Sequence, residues 1–345
     1  MKRVIFVSAF VSLCVAQPPP AKPTAPPRPP SVYTNPRADA SDPRIGLKAG
    51  LTDAAEAAWG MVRVATIPKP PGFAHGNNAV SSPEPPSDNA TEAERRRPSL
   101  QFGSTNSDLA FSGNYVFVGN YNGINFYDID NPADVKLRTS LLCPGGQGDV
   151  SVHKHLLFMS AEAMNGRLDC GAQGIPLPAG YKPPPAPKPD PNAPPGTRPR
   201  RPPPPPSPDR FRGLRIFDIS DISHPKQVAA VQSCRGSHTH TLVIDPKDKE
   251  NVYIYISGTG PVRQKEELAD CSGDDPDKNP ETALFRIDIV KVPLAHPERA
   301  KIVNSPRIFA DEKTGAAAGL WKGGTHGEGT QPTSRTDKCQ DITVY

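Results

Sequence analysis

Arg212–Pro225, RGLRIFDISDISHP, decides the fold. Glycine leads it, Leu214 and Ile216 alternate with Arg215 and Phe217, and Asp218 closes it, the pattern of a strand running into a turn. The same design stands upstream as Asn122–Pro132, NGINFYDIDNP, and downstream in worn form as Leu284–Pro297, LFRIDIVKVPLAHP. Asp128, Asp218 and Asp288 recur in it at expected strand ends, where a carboxylate accepts backbone N–H groups in a turn.

Working outward from the first copy, alternation predicts strands at Asp108–Phe111, Tyr115–Val118, Ile124–Tyr127 and Val135–Leu142, joined by turns at Ser112-Gly113-Asn114 and Asn122-Gly123. A second unit opens at Asp149–Val152, a third near Thr241–Ile244, and a fourth at Asp341–Val344. A period near 40 residues with four short strands per unit predicts an all-β fold, a β-propeller of four-stranded antiparallel blades. The count is about three blades plus the first strand of a fourth. Closed rings take about 4–8 blades, so the propeller reads as incomplete and the chain as a fragment.

Composition sets the remaining organisation. Of 45 prolines, 27 lie in two tracts, Gln17–Arg44 and Pro176–Pro208, which predict extended, non-globular chain. A formal charge of +4, with acids and bases interspersed, gives no nucleic-acid footprint. Met1–Ala16 carries two cations, an apolar run and small residues at its end, the signature of an export signal; the run is too short for a membrane anchor. A lipid anchor on Cys14 is the alternative, disfavoured by the bulky Leu13 before it. The expected layout is signal peptide 1–16, proline-rich disordered tether 17–44, an extension 45–106 and partial propeller 107–345 with the proline-rich insertion 176–208. Within the extension, Asp53 ahead of AAEAAWGMV, with Glu56 three residues on, predicts one short helix.

DLAFSGNYVFVGNYNGINFYDIDNP, GLRIFDISDISHP and the connections CPGGQGDVSV and CRGSHTHTLV resemble the LVIVD-repeat proteins, exported bacterial β-propellers of mostly unassigned function. The similarity extends to GLKAGLTDAAEAAW and CQDITVY. In that family CQDITVY leads into further blades, which again implies an incomplete ring here. The resemblance supplies no catalytic residue.

Propeller geometry brings two kinds of loop to one face: the connections between blades and the loops between second and third strands. Here those loops hold the cysteines. Cys143 and Cys170 fall on one adjacent pair of loops and Cys234 and Cys271 on the next, so two disulfides are expected, with Cys339 alone. Zinc ligation is the rival reading, without a C-x-x-C to support it. His153, His155, His224 and His296 fall in turns and read as structural or exposed. His238 and His240 instead sit where the chain enters an innermost strand, and His326 and Glu328 lie on the next connection of that kind; together they form a candidate site for a divalent transition metal, Zn²⁺ or Cu²⁺. The alternative is hydrogen bonding between blades.

The expected function is that of a secreted, periplasmic or cell-surface binding module, its partner a protein, glycan or envelope polymer, with no nucleic acid and no transmembrane segment. A metal-dependent enzyme, for example an oxidoreductase, using His238, His240 and His326 is the second reading. The third is anionic-polymer binding by the Arg198–Arg201 tract.

Overall fold

The computed structural model describes residues 42, 44–50, 53–58, 60–73, 105–182, 184–185, 204–311, 313–316, 321, 323–330, 333 and 335–344. The leader, nearly all of the first proline tract and the centre of the second lie outside them. The chain divides into two units at Gly60 and Met61, and each is described by itself.

Among the described residues of the second unit every strand belongs to one of three antiparallel four-stranded sheets. Blade one holds β1 (Asn106–Ser112), β2 (Tyr115–Asn120), β3 (Gly123–Asp128) and β4 (Lys136–Leu142). Blade two holds β5 (Val150–His153), β6 (Leu156–Ala161), β7 (Gly213–Asp218) and β8 (Lys226–Gln232). Blade three holds β9 (Thr239–Val243), β10 (Asn251–Ser257), β11 (Asp288–Pro293) and β12 (Lys301–Asn304). Each is a meander in chain order, and β5 lies beside both β1 and β9, so the first strands of the blades stand together. This is the propeller-like arrangement that the repeat predicts.

The alternation explains the cores. Blade two is apolar on both faces: Leu157, Met159 and Phe217 pack against Phe117, Ile124 and Phe126 of blade one, while Phe158, Leu214 and Ile216 pack against Val252, Ile254 and Val290 of blade three. A two-faced sheet needs a neighbour on each side, which is why these repeats cannot fold singly.

The glycine that leads each strong copy has a steric cause. Gly123 and Gly213 have φ of 143° and 151°, and a Cβ would stand 2.0 Å from the carbonyl oxygen of Leu141 or Val231 on the partner strand. We expect Gly213→Ala to destabilise the protein by about 2–3 kcal/mol in urea unfolding, from left-handed strain plus the displaced β8. A loss below about 1 kcal/mol would show that the strand pair yields easily.

The third copy is read differently by the fold. At the far end of each blade the residue after the third strand donates to the first turn: Ile129 to Asn114, Ile219 to His155 and Leu294 to Glu250, each at 2.8 Å. Pro293, not Asp288, is therefore the counterpart of Asp128 and Asp218. Asp288 opens β11 opposite Ile256, and its carboxylate accepts from Ser305 Oγ at 2.6 Å instead of capping a turn. The repeat expectation is corrected by five positions here, because the matching Asp-Ile pair belongs to a different register.

Two further expectations are corrected. Ala54–Ala58 is not helical, and all five residues are exposed. Lys48 Nζ pairs with the Asp53 carboxylate and the Ala55 amide donates to Lys48 O at 2.9 Å, so the cap residue serves a local loop. A helix this short needs an apolar surface to dock on, and these alanines have none. Asp341–Val344 forms no strand. It lies along blade three through side chains: Thr239 Oγ1 donates to Gln340 O at 2.7 Å, and Thr241 Oγ1 donates to Ile342 O. Among the described residues it has no backbone ladder partner, so its position resembles a first strand while its hydrogen bonding does not.

Candidate functional site

The loops that carry the cysteines meet at one end of the sheets. Cys143, just after β4, is bonded to Cys170 in the β6–β7 loop with Cα atoms 4.3 Å apart. Cys234, just after β8, is bonded to Cys271 in the β10–β11 loop at 5.3 Å. Both pairings are those expected from the blade map, and Cys339 is free. Burial pushes its thiol up, away from the reactive thiolate.

Beneath these loops lies a layer of buried arginines. Arg210, Arg212 and Arg215 are at most 2% exposed. Arg212 donates to the carbonyls of Glu162 (2.9 Å), Arg235 (3.1 Å) and Pro261 (2.8 Å), binding the two inserted loops and the blade connection at one point. Among the described residues its guanidinium pairs with no carboxylate, and burial, followed by the nearby Arg263, brings its pKa down to about 10. Arg215 is likewise brought to about 10 by burial; it donates to Arg167 O, Leu168 O and Gln227 Oε1 and stacks 4.2 Å over Phe211. Both stay charged at neutral pH. Glu267 is held between Arg210 and Arg263, and Arg235 reaches Asp337.

Five arginines and three acids, Glu162, Glu267 and Asp337, thus share this layer, with main-chain carbonyls as the chief acceptors. The end of the proline tract joins in. Proline offers a carbonyl and no donor, and Pro204 O accepts from Gln264 while Pro205 O accepts from Arg210. Residues 204–208 are therefore docked chain, and the expected disordered insertion does not extend to Pro208.

Of the candidate metal ligands, the structure joins none into a set. His238 Nδ1 lies 2.5 Å from Glu162 Oε1, whose other oxygen accepts from Thr259 Oγ1 at 2.9 Å. His240 has both ring nitrogens engaged: Nδ1 lies 2.8 Å from Ser160 Oγ and 2.9 Å from Asp149 Oδ2, and Nε2 lies 2.7 Å from Ser151 Oγ. His326 is stacked on Trp321 at 4.0 Å in an exposed loop that also exposes Glu328. Among the described residues no three His, Cys, Asp or Glu side chains are placed to hold a metal ion. His238 and His240 both face blade two, where each ring is taken up by its own neighbours, while His326 stacks instead on Trp321. Among the turn histidines, His224 pairs with Asp221 and His296 with Glu298 at the exposed surface.

Sequence reasoning missed Asp108, Asp149 and Glu162. Asp108 Oδ2 accepts the Val150 amide at 3.1 Å and Asp149 Oδ2 accepts the His240 amide at 2.8 Å, so an aspartate at the entry of the inner strand in blades one and two latches it to the next. The signal was visible as a repeated Asp two residues ahead of Ala110 and Ser151.

The His238–Glu162 pair sets a pH dependence. The hydrogen bond to Glu162 raises His238, partly opposed by its burial. Burial, the largest single influence, would raise Glu162, but the hydrogen bond and charge of His238 together with the bonds from Thr259 hold the carboxyl below its ordinary value. A raised histidine stabilises fully below its ordinary 6.5 and loses that as pH rises through the folded value. A depressed glutamate stabilises fully above its ordinary 4.5 and loses that as pH falls through the folded value. The pair should contribute most between these limits, so Glu162→Gln should lower the melting temperature most across pH 4.5–6.5, with the deficit shrinking on either side. An unchanged pH profile would remove the pair from the stability account.

The fold and this loop layer define a β-propeller-like repeat module. The LVIVD repeat model matches residues 103–142, all of blade one, and 209–232, the outer half of blade two, so the chain carries LVIVD repeats in these two stretches. No curated protein shows a significant match. Among solved structures, the crystal structure of the computationally designed Ika4 protein is 12% identical, covering 59% of this chain and 91% of that one, with a TM-score of 0.21 that supports no argument.

Proposed function

We infer that the protein is an exported binding module that presents its cysteine-clipped loop face to a partner in the envelope or outside the cell. The carrying observation is the construction of that face: two disulfides and the buried Arg210, Arg212 and Arg215 fix inserted loops that the blades themselves do not need. Fixed loops on a rigid scaffold lower the ordering cost of recognition. Export accords with the leader-like Met1–Ala16, with the disulfides, and with the absence among the described residues of any helix long and apolar enough to cross a membrane.

The test is an array of envelope polysaccharides, anionic polymers and surface proteins, probed with oxidised and reduced protein. Binding to one class that is lost on reduction and insensitive to Lys154→Ala, in the turn between β5 and β6, supports the reading. Binding carried by the Arg198–Arg201 tract alone, abolished by moderate salt, would move recognition from the face to the tract. No binding by the oxidised protein to any class would sink the proposal.

A further inference from the structure

The bonds around His240 place a hydroxyl, an imidazole and a carboxylate in line. We propose that Ser151 is a nucleophilic hydroxyl served by His240 as general base, and that the protein hydrolyses esters of small acyl groups.

The three residues come from the entries of two inner strands. Asp149 immediately precedes β5, Ser151 lies on it, and His240 lies on β9 opposite Ile256. Ser151 Oγ stands 2.7 Å from His240 Nε2, within reach for proton abstraction. On the other side of the ring, Nδ1 is 2.9 Å from Asp149 Oδ2. Burial would raise Asp149, but the hydrogen bond and charge of His240 hold its carboxyl below the ordinary range, so it is an anion at neutral pH. An anion beside Nδ1 keeps the ring proton there and turns the Nε2 lone pair toward Ser151. Asp149 is thus a positioning residue. Ser160, which also reaches Nδ1, is fully buried and bonded to Ser237, whereas Ser151 is only partly buried.

Strand register supplies a donor for the developing oxyanion. Among the described residues β5 pairs only with β6, and the Ser160 amide donates to Asp149 O at 2.9 Å, which marks Asp149 and Ser160 as a hydrogen-bonded pair. Alternation then turns the Ser151 amide toward β6 and the amides of Val150 and Val152 toward the free edge. Val150's amide is held by Asp108, and Val152's, directly after the nucleophile, belongs to no strand pairing.

The chemistry balances with water alone. As Ser151 Oγ bonds to the ester carbon, His240 Nε2 takes the hydroxyl proton; the tetrahedral oxyanion collapses, the C–O bond to the alcohol breaks, and His240 returns the proton to the leaving alkoxide. Water then repeats the sequence against the acyl-serine, releasing the carboxylic acid. β5, which carries Ser151, lies beside both β1 and β9, and a small acyl group asks least of the space between them.

The experiment treats the full chain with a fluorophosphonate probe and maps the adduct by mass spectrometry, with p-nitrophenyl acetate hydrolysis in parallel. Expected are a single adduct on Ser151 and an ester rate that falls about 100-fold or more in Ser151→Ala and His240→Gln, provided both variants keep the wild-type circular dichroism. Asp149→Asn should lower kcat with KM unchanged, a split that a merely structural latch would not give. If His240→Gln does not fold, the adduct site and Ser151→Ala decide alone. No adduct under conditions that saturate a control serine hydrolase, an adduct on another residue, or undiminished ester hydrolysis in Ser151→Ala would each overturn the proposal and leave this network as a fastening between blades.

Discussion

Arg212→Ala should lower the unfolding free energy by about 3–5 kcal/mol. The substitution leaves the carbonyls of Glu162, Arg235 and Pro261 buried without a donor, and each orphaned group costs about 1–3 kcal/mol beyond the cavity left by the side chain. Against a typical domain stability of about 5–15 kcal/mol this is a large fraction. Arg212→Lys should recover little, because one ammonium on a flexible stem cannot meet three carbonyls from a planar fork. Arg299→Ala, with its side chain 71% exposed, is the contrast and should stay within about 0.5 kcal/mol. Urea unfolding of the three variants measures all of this. A loss below about 1 kcal/mol in Arg212→Ala would mean that the loops take their shape without the guanidinium.

Reducing the two disulfides should remove roughly 3–4 kcal/mol per bridge in the chain-entropy account, for closures of 27 and 37 residues. The bridges join loops to strand entries and leave the sheet ladders untouched. Hydrogen exchange after reduction should therefore rise first in residues 162–212 and 258–287, while the central strands β6, β7 and β10 keep their protection until the blades melt. Simultaneous loss of protection in loops and strands would make the bridges part of the blade core, against the map drawn above.

Much of this architecture could be read from single residues. Period-2 alternation located all four strands of blade one and the opening strands of blades two and three because each blade buries alternate side chains against a neighbour, and the glycines of the first two copies marked where a partner carbonyl comes close. The third copy misled because Asp288-Ile289 matches Asp218-Ile219 in type but not in pairing, and pairing is set by a partner strand that local sequence does not name. The short helix failed for a related reason. Asp53 and Glu56 satisfy local rules for a helix start, yet docking surface decides whether so short a segment folds.

The site was less legible than the scaffold. Cysteines announce themselves, and blade geometry paired them. Arg210, Arg212 and Arg215 look like ordinary surface cations in sequence, and their burial follows from loops that arrive from 50 or so residues away, such as Glu162 to Arg212. Histidine at a strand entry suggested metal ligation, but which way His240 faces depends on the register of β9 against β10, and that turned it to Ser151, Ser160 and Asp149.

The aspartate latches at Asp108 and Asp149 reach only from one blade to its immediate successor. Cohesion in such an arc is a nearest-neighbour property, as in a row of coupled spins: each unit's persistence depends on how many adjoining units remain in place. The middle blade has two such couplings and the flanking blades one each within the described arc. Loosening thus begins at the flanks and travels inward, and the residues with the most at stake, Ser151 and His240, sit on either side of the junction between blades two and three. Whatever adjoins either flank, a further repeat or another molecule, would be felt at that junction as a change in how often it opens, without touching it.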